Sequence, residues 1–138
     1  IVAKEGKQVV GASTCLPLSQ ETDEIRQPLV EAGYDDKEVL YLGESVLDKA
    51  YRGRGIGKSF FRLREAYGHH LQKTLASFCA VDRPADHPLR PAHYRPLHTF
   101  WQKEGYRLLA NVQVRLFWKD VDQKAETEKA LTFWIKKL

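Results

Sequence analysis

The chain has 138 residues, 43% of them hydrophobic and 29% charged, a composition that describes one compact soluble domain and excludes disordered and fibrous classes. Its formal net charge of +4 is spread along the chain, apart from clusters at Arg52–Lys58 and Lys136–Lys137. That surplus suits a small polyanion and builds no nucleic-acid-binding face.

No apolar run approaches the roughly 18 residues of a membrane span, and no signal peptide is visible, so a membrane partner is not expected. Cys15 and Cys79 have no metal-like spacing and read as two buried thiols in a reducing cytosol, which makes the cytoplasm the expected location. The chain contains no Met. We expect it to lack its true N-terminus.

In chain order, "IVAKEGKQVVGASTCLPL" alternates apolar and polar residues on both sides of Gly6 and predicts a β-hairpin. Ser19 to Ala32 predicts a short helix, with Thr22 or Asp23 as its cap, Ile25, Leu29 and Val30 on its apolar side, and Gly33 just past its end. Glu38 to Leu47, rich in β-formers, predicts one strand. A glycine run leads from it into a helix over about Gly55 to Lys73, whose expected buried stripe is Ile56, Phe60, Leu63, Tyr67 and Leu71. Leu75 to Val81 predicts a strand that closes a βαβ unit, so it should lie parallel to the strand before the loop.

Pro84, Pro88, Pro91 and Pro96 then exclude a regular helix or central strand from "DRPADHPLRPAHYRP", leaving a long structured loop of a kind that is often functional. A short helix is expected over Leu97 to Glu104, ending at Gly105. A long strand follows from Tyr106 to Asp122, bent near Asn111. The tail "EKALTFWIKKL" fits a helix by its spacing and a strand by its residue types.

The chemistry concentrates in "DKAYRGRGIGKSFFR". A strand that stops, a turn of glycines and a helix whose first amides point back at the turn make an anion site, since unpaired N–H groups and the dipole's positive end both favour phosphate. Glycine lets backbone approach a ligand with no Cβ between. Arg52, Arg54 and Lys58 add charge for more than one phosphate, and an arginine fork can hold two oxygens. Neither well-known phosphate template fits. Arg52 stands where a Walker A loop needs its first glycine, and Gly57 comes one residue too early for the dinucleotide fingerprint.

The stretch resembles the central motif [QR]-x-x-G-x-[GA] of the GNAT superfamily of acyl-CoA-dependent N-acetyltransferases, with Arg52-Gly-Arg-Gly55-Ile-Gly57 in place. A second landmark of that superfamily, a helix ending in a phrase like F-Y-E-K-x-G-F, is similar to "FWQKEGY", Phe100 to Tyr106, with Trp101 at the tyrosine. The resemblance runs over nearly the whole chain, except that the superfamily's first strand and helix pair precede Ile1.

It implies an α/β (α+β) fold. That fold is a mixed, mostly antiparallel sheet with one parallel pair, flanked by helices, in one domain over residues 1–138 that is incomplete at its N-terminus. It implies a strand for the tail.

The resemblance implies acetyl-CoA as cosubstrate and no metal. Its pyrophosphate would be held at Arg52, Gly53, Arg54, Gly55, Ile56, Gly57 and Lys58. Backbone groups at Val46 and Leu47 would hold the pantetheine arm and polarise the thioester, with Trp101 packed against that arm. The acceptor would be a small-molecule or peptide amine, and a homodimer is one expected assembly.

Glu44 is the candidate base or acceptor-binding carboxylate, because it interrupts an apolar stretch where partial burial would raise its pKa; a strand-edge Glu satisfied by an Arg is an equal alternative. Tyr94 or water is the candidate acid, because the indole of Trp101 cannot release a proton. Asp82, Asp86 and Tyr94 lie in the proline-rich stretch, where an acceptor could be contacted. His87, His93 and His98 have no compact zinc spacing. A non-catalytic acetyl-CoA-binding or regulatory module is the alternative function, and a phosphotransferase using Asp82 for Mg²⁺ is a more remote one.

Overall fold

The computed structural model describes residues 1–138. Its strands are β1 (Val2–Glu5), β2 (Gln8–Ser13), β3 (Leu16–Pro17), β4 (Val39–Tyr41), β5 (Ser45–Leu47), β6 (Leu75–Val81), β7 (Arg107–Trp118) and β8 (Thr127–Lys137). Its helices are α1 (Asp23–Glu31), α2 (Ile56–His70) and α3 (His98–Lys103). No helix is long and apolar enough to cross a membrane.

The strands form two sheets, ordered β1-β2-β5 and β3-β4-β6-β8-β7. All pairings are antiparallel except β4 with β6, where Val39, Leu40 and Tyr41 face Leu75, Ala76 and Ser77.

The expected single strand over Glu38 to Leu47 is two strands, one in each sheet. The cause is tertiary. Thr14 staples the break through three bonds: its N–H donates to Glu44 O (2.9 Å), its carbonyl accepts from Gly43 N–H (3.2 Å), and its Oγ1 accepts from Glu44 N–H (3.0 Å). Thr14 itself lies between β2 and β3, where the neighbouring strand changes sheet in the same way. The parallel partner of β6 is therefore β4, and β5, the strand next to the glycine loop, has turned away to β2.

Two cores follow from the alternation of side chains across the five-stranded sheet. On one face α1 lays Ile25 and Leu29 over Val39, Tyr41, Leu109, Phe133 and Ile135. Val30, expected on that apolar side, is exposed. On the other face α2 covers Leu40, Leu42, Ala76, Phe78 and Trp134 with Phe61.

The expected stripe of α2 is rotated. Phe60, Phe61, Arg64 and Gly68 are buried, whereas Leu63 and Tyr67 are 53% and 46% exposed. Close approach at Gly68 sets the rotation, since a Cβ there would meet Leu138 at 2.7 Å and Leu40 at 3.3 Å.

The proline-rich stretch contains no regular element, β7 is bulged between Leu109 and Gln113, and the tail is strand β8. With seven pairs to β6, β8 lies inside the sheet that carries the site, between β6 and the edge strand β7.

Candidate active site

Where β5 leaves for the other sheet, a slot opens between β5 and the far half of β6. The hydrogen-bond alternation of antiparallel strands decides which backbone groups line it. Thr14 N–H bonds to Glu44 O and Asp48 N–H to Val10 O (2.8 Å), so Glu44, Val46 and Asp48 spend their backbone on β2. Ser45 and Leu47 therefore aim their N–H and C=O groups into the slot.

On the opposite wall Asp82 N–H bonds to Ala130 O (2.9 Å) and Leu138 N–H to Thr74 O (2.8 Å), which puts the even-numbered residues of β6 against β8. Its odd-numbered residues face the slot. Ser77 O accepts from Leu42 N–H at 2.7 Å, and beyond it Cys79 and Val81 have no backbone partner on that side. Both walls of the slot therefore carry backbone groups that no strand uses, Leu47 O being reached only by Arg52.

At the open end of the slot stands the glycine loop. Asp48 caps the turn Lys49–Tyr51 by accepting from Ala50 N–H (3.0 Å), and the chain then enters α2 through Gly53 (φ 76°) and Gly55 (φ 81°). Both angles are left-handed, the reason glycine stands there. Helix α2 has no side-chain cap, and the amides of Gly53, Arg54, Gly55, Ile56, Gly57 and Lys58 have no backbone partner. A Cβ at Gly53, Gly55 or Gly57 would meet nothing within 4 Å. Six free donors on a 15-residue helix entry with open space before them form an anion cradle.

The three cations of the loop are placed differently from one another. Arg54 lies over the Tyr51 ring at 4.9 Å, and Tyr51 donates to Glu5. Arg52 reaches Leu47 O, both contacts at a long 3.4 Å. Lys58 pairs with Glu104 at 3.5 Å and ties the start of α2 to the end of α3, so part of its charge is already answered.

Glu44 sits at the closed end of the slot, fastened by Thr14 and exposed to solvent. The expected partial burial of its carboxylate is therefore not found, and no arginine pairs with it. Its charge is felt by Tyr41 and Cys79, whose hydroxyl and thiol lie 3.1 Å apart; burial chiefly pushes both groups above their usual pKa, the Cys79 thiol adds to the rise at Tyr41, and the Glu21 and Glu44 charges contribute least.

Tyr94 is brought near neither Glu44 nor the glycine loop. It lies half exposed in the proline-rich loop under Arg90 (5.3 Å) and lines a cavity of about 840 Å³, together with Asp82, His87 and His98. Asp86 and His93 are not among the cavity's lining residues. Trp101 is wedged among Phe78, Trp134 and His98, with ring centres at 5.1, 5.1 and 5.5 Å. It forms the floor under β6 beside the slot.

Sequence reasoning missed Arg64. Its guanidinium is 2% exposed, lies over the Phe61 ring at 4.8 Å, and donates from Nε to Phe60 O (3.2 Å) and from Nη1 to Thr14 O (3.4 Å). Burial pulls its pKa below the usual arginine value. An arginine in a helical pattern reads as a solvated residue, and only its distance of three residues from Phe61 hints that it shares the buried side.

No family model matches the sequence, and no curated protein is similar enough in sequence to count as a relative. Solved structures do match. An IAA acetyltransferase from Bacillus cereus ATCC 14579 superposes with a TM-score of 0.60 at 13% identity, over 99% of this chain and 75% of that one. A GNAT family acetyltransferase from Elizabethkingia anophelis with acetyl-CoA bound gives 0.59 at 12%, over 99% and 74%.

The chain has the GNAT fold. A ribosomal-protein-alanine N-acetyltransferase from Brucella melitensis gives the same TM-score of 0.59 at 17% identity, over 99% of this chain and 67% of that one. Within the GNAT fold the slot and the glycine loop of this chain are consecutive along the sequence: β4, seam, β5, loop, α2.

Proposed function

We propose that the protein is an N-acetyltransferase that moves the acetyl group of acetyl-CoA to a primary amine. The observation that carries this reading is the slot between β5 and β6, where the N–H and C=O groups of Ser45, Cys79 and Val81 and the N–H of Leu47 have no backbone partner, ending at six free amides. An extended arm with amides of its own completes such a slot as an added strand does. A diphosphate at its end fits the uncapped entry of α2. Pantetheine diphosphate has that form, and the Elizabethkingia anophelis acetyltransferase of this fold has acetyl-CoA bound.

In this reading Gly53 to Lys58 bind the phosphates by backbone, with Arg52 and Arg54 supplying charge. Leu47 N–H, free and aimed into the slot, polarises the thioester carbonyl; Val46, whose backbone is spent on Ala12, packs its side chain. Acetyl-CoA supplies the acyl group as a thioester. The amine nitrogen bonds to the acyl carbon as the carbon–sulfur bond breaks, and one amine proton leaves to Glu44, directly or through water. Trp101 shapes the slot floor and carries no proton. Water or Tyr94 returns a proton to the thiolate.

The test is an amine screen with acetyl-CoA, following free thiol. Amine-dependent thiol release supports transfer. Acetyl-CoA binding with no turnover on any amine would favour a non-catalytic binding module, a reading that Trp101 at the tyrosine position keeps specific.

A further inference from the structure

A cavity of about 840 Å³ lies at the end of β6, between the proline-rich loop and the turn that joins β7 to β8. Its body is apolar and aromatic, with Leu89, Pro91 and Tyr94 on one side and Val121 on the other.

Most of its charges are already used. Arg83 and Asp120 pair at 2.8 Å, with Lys129 at 3.5 Å from the same carboxylate. Arg90 donates to Ala85 O at 2.7 Å and covers Tyr94. Asp82 differs. Its Oδ2 accepts from the Thr132 hydroxyl (2.6 Å) and the Gln113 amide (3.3 Å), both neutral. Every ion pair of the chain involves other residues. An exposed carboxylate fixed in place by neutral donors and held in no ion pair, at the edge of an apolar cavity, complements a cation carried on an apolar body.

The cavity also meets the slot. Val81 lines both: its backbone faces the slot, and it is among the cavity's residues. In the parallel pairing Tyr41 stands opposite Ser77. The same register carried past the seam sets Val46 level with Asp82, beside the stretch of β5 that would hold the thioester.

The geometry points to Asp82 as the residue that binds the acceptor's ammonium, with the cavity holding an apolar or aromatic body. The acceptor class is then a hydrophobic primary amine rather than a polycation or an amino-acid zwitterion. This rests on the acetyl-transfer reading of the slot. Tyr94 here contributes its ring to the acceptor's body, and Asp82, in the cavity, and Glu44, at the closed end of the slot, take separate roles, binding and proton removal.

The experiment is calorimetric titration of the full chain with 2-phenylethylamine, 2-phenylethanol and phenylacetate, with acetyl-CoA titrated separately. The amine should bind at least tenfold more tightly than the alcohol or the acid. Asp82→Asn keeps an acceptor oxygen for Thr132, so the fold should persist; it should abolish the preference for the amine and leave acetyl-CoA affinity unchanged. Leu89→Ala, on an exposed loop, should weaken all three aromatic ligands alike.

Equal binding of amine and alcohol would overturn the assignment. So would an Asp82→Asn protein whose acetyl-CoA affinity falls while its amine affinity holds, since the cavity would then belong to the cosubstrate. Failure of acetyl-CoA to bind the wild type, with the amine preference intact, would overturn the acetyl-transfer reading and support the cavity assignment by itself.

Discussion

Gly57 offers a cleaner probe of the anion cradle than Gly55. Gly55 has φ 81°, so any side chain there strains the backbone as well as blocking the site. Gly57 is already helical, and a Cβ there meets open space. Gly57→Ala should therefore leave the melting temperature unchanged or raise it, by up to about 1 kcal/mol of helix propensity, while weakening acetyl-CoA binding about tenfold or more. Unchanged affinity in calorimetry would move the phosphates away from this turn.

Glu44 makes a sharper distinction, because its backbone is held by Thr14 whatever its side chain does. Glu44→Gln keeps the shape and removes proton acceptance. Turnover near neutral pH should fall by ~10²-fold, with acetyl-CoA affinity almost constant, and higher pH should recover part of the loss by neutralising the amine in advance. A mutant that raises only the KM of the amine would make Glu44 an anchor for the substrate's charge instead.

At the scale of elements, the slot depends on how closely β2 and β5 approach at Gly11. A Cβ there would lie 2.8 Å from Leu47 Cδ1 and 2.9 Å from the backbone oxygen of Val46. A carbonyl cannot swing aside as a side chain can, so Gly11→Ala must push the β5 wall. The expected cost is about 1–3 kcal/mol in denaturant unfolding, together with weaker acetyl-CoA binding although residue 11 does not reach the slot. A mutant of wild-type stability and affinity would mean that the β5 wall is not held by that contact.

The cavity rim is held differently, by a charge network at the β7–β8 turn. Hydrogen bonds from Arg83 (2.8 and 2.9 Å), and then from the Trp118 indole (3.1 Å), hold the Asp120 carboxyl well below the usual carboxylate range. A depressed carboxyl pKa contributes stability that is present above the unfolded value, about 3.9, and is lost as pH falls through the folded value. Trp118 fluorescence should thus be flat from pH 8 down to about 4 and change only in stronger acid. A transition between pH 5 and 7 would mean that Asp120 is not the group that holds this turn.

At the scale of the whole molecule, what was legible in the sequence is what depends on local spacing. The glycine turn and its helix, β6, the proline-rich loop without a regular element and the bend in β7 all follow from periodicity and breakers. The final strand needed the family resemblance as well, because "EKALTFWIKKL" satisfies two periods at once. What was illegible depends on contacts between distant residues. In "VLYLGESVL" only Gly43 hints at a break, where a Cβ would lie 2.7 Å from Thr14 Oγ1, and Thr14, which makes the break, is 30 residues from Glu44. The rotation of α2 is set by Gly68 against Leu40, and the burial of Arg64 by the carbonyl of Thr14. These are the features that split the sheet, so the slot itself was the part hidden from sequence.

The most direct test of the account is hydrogen exchange of the backbone amides with and without acetyl-CoA. The free donors at Leu47, Cys79, Val81 and Gly53–Lys58 should exchange fast in the free protein and become protected together when acetyl-CoA is added, whereas Val46, already bonded to β2, should change little. Protection confined to other segments, or none at these amides at saturating acetyl-CoA, would contradict the claim that the slot between β5 and β6 is where this protein holds its acyl donor.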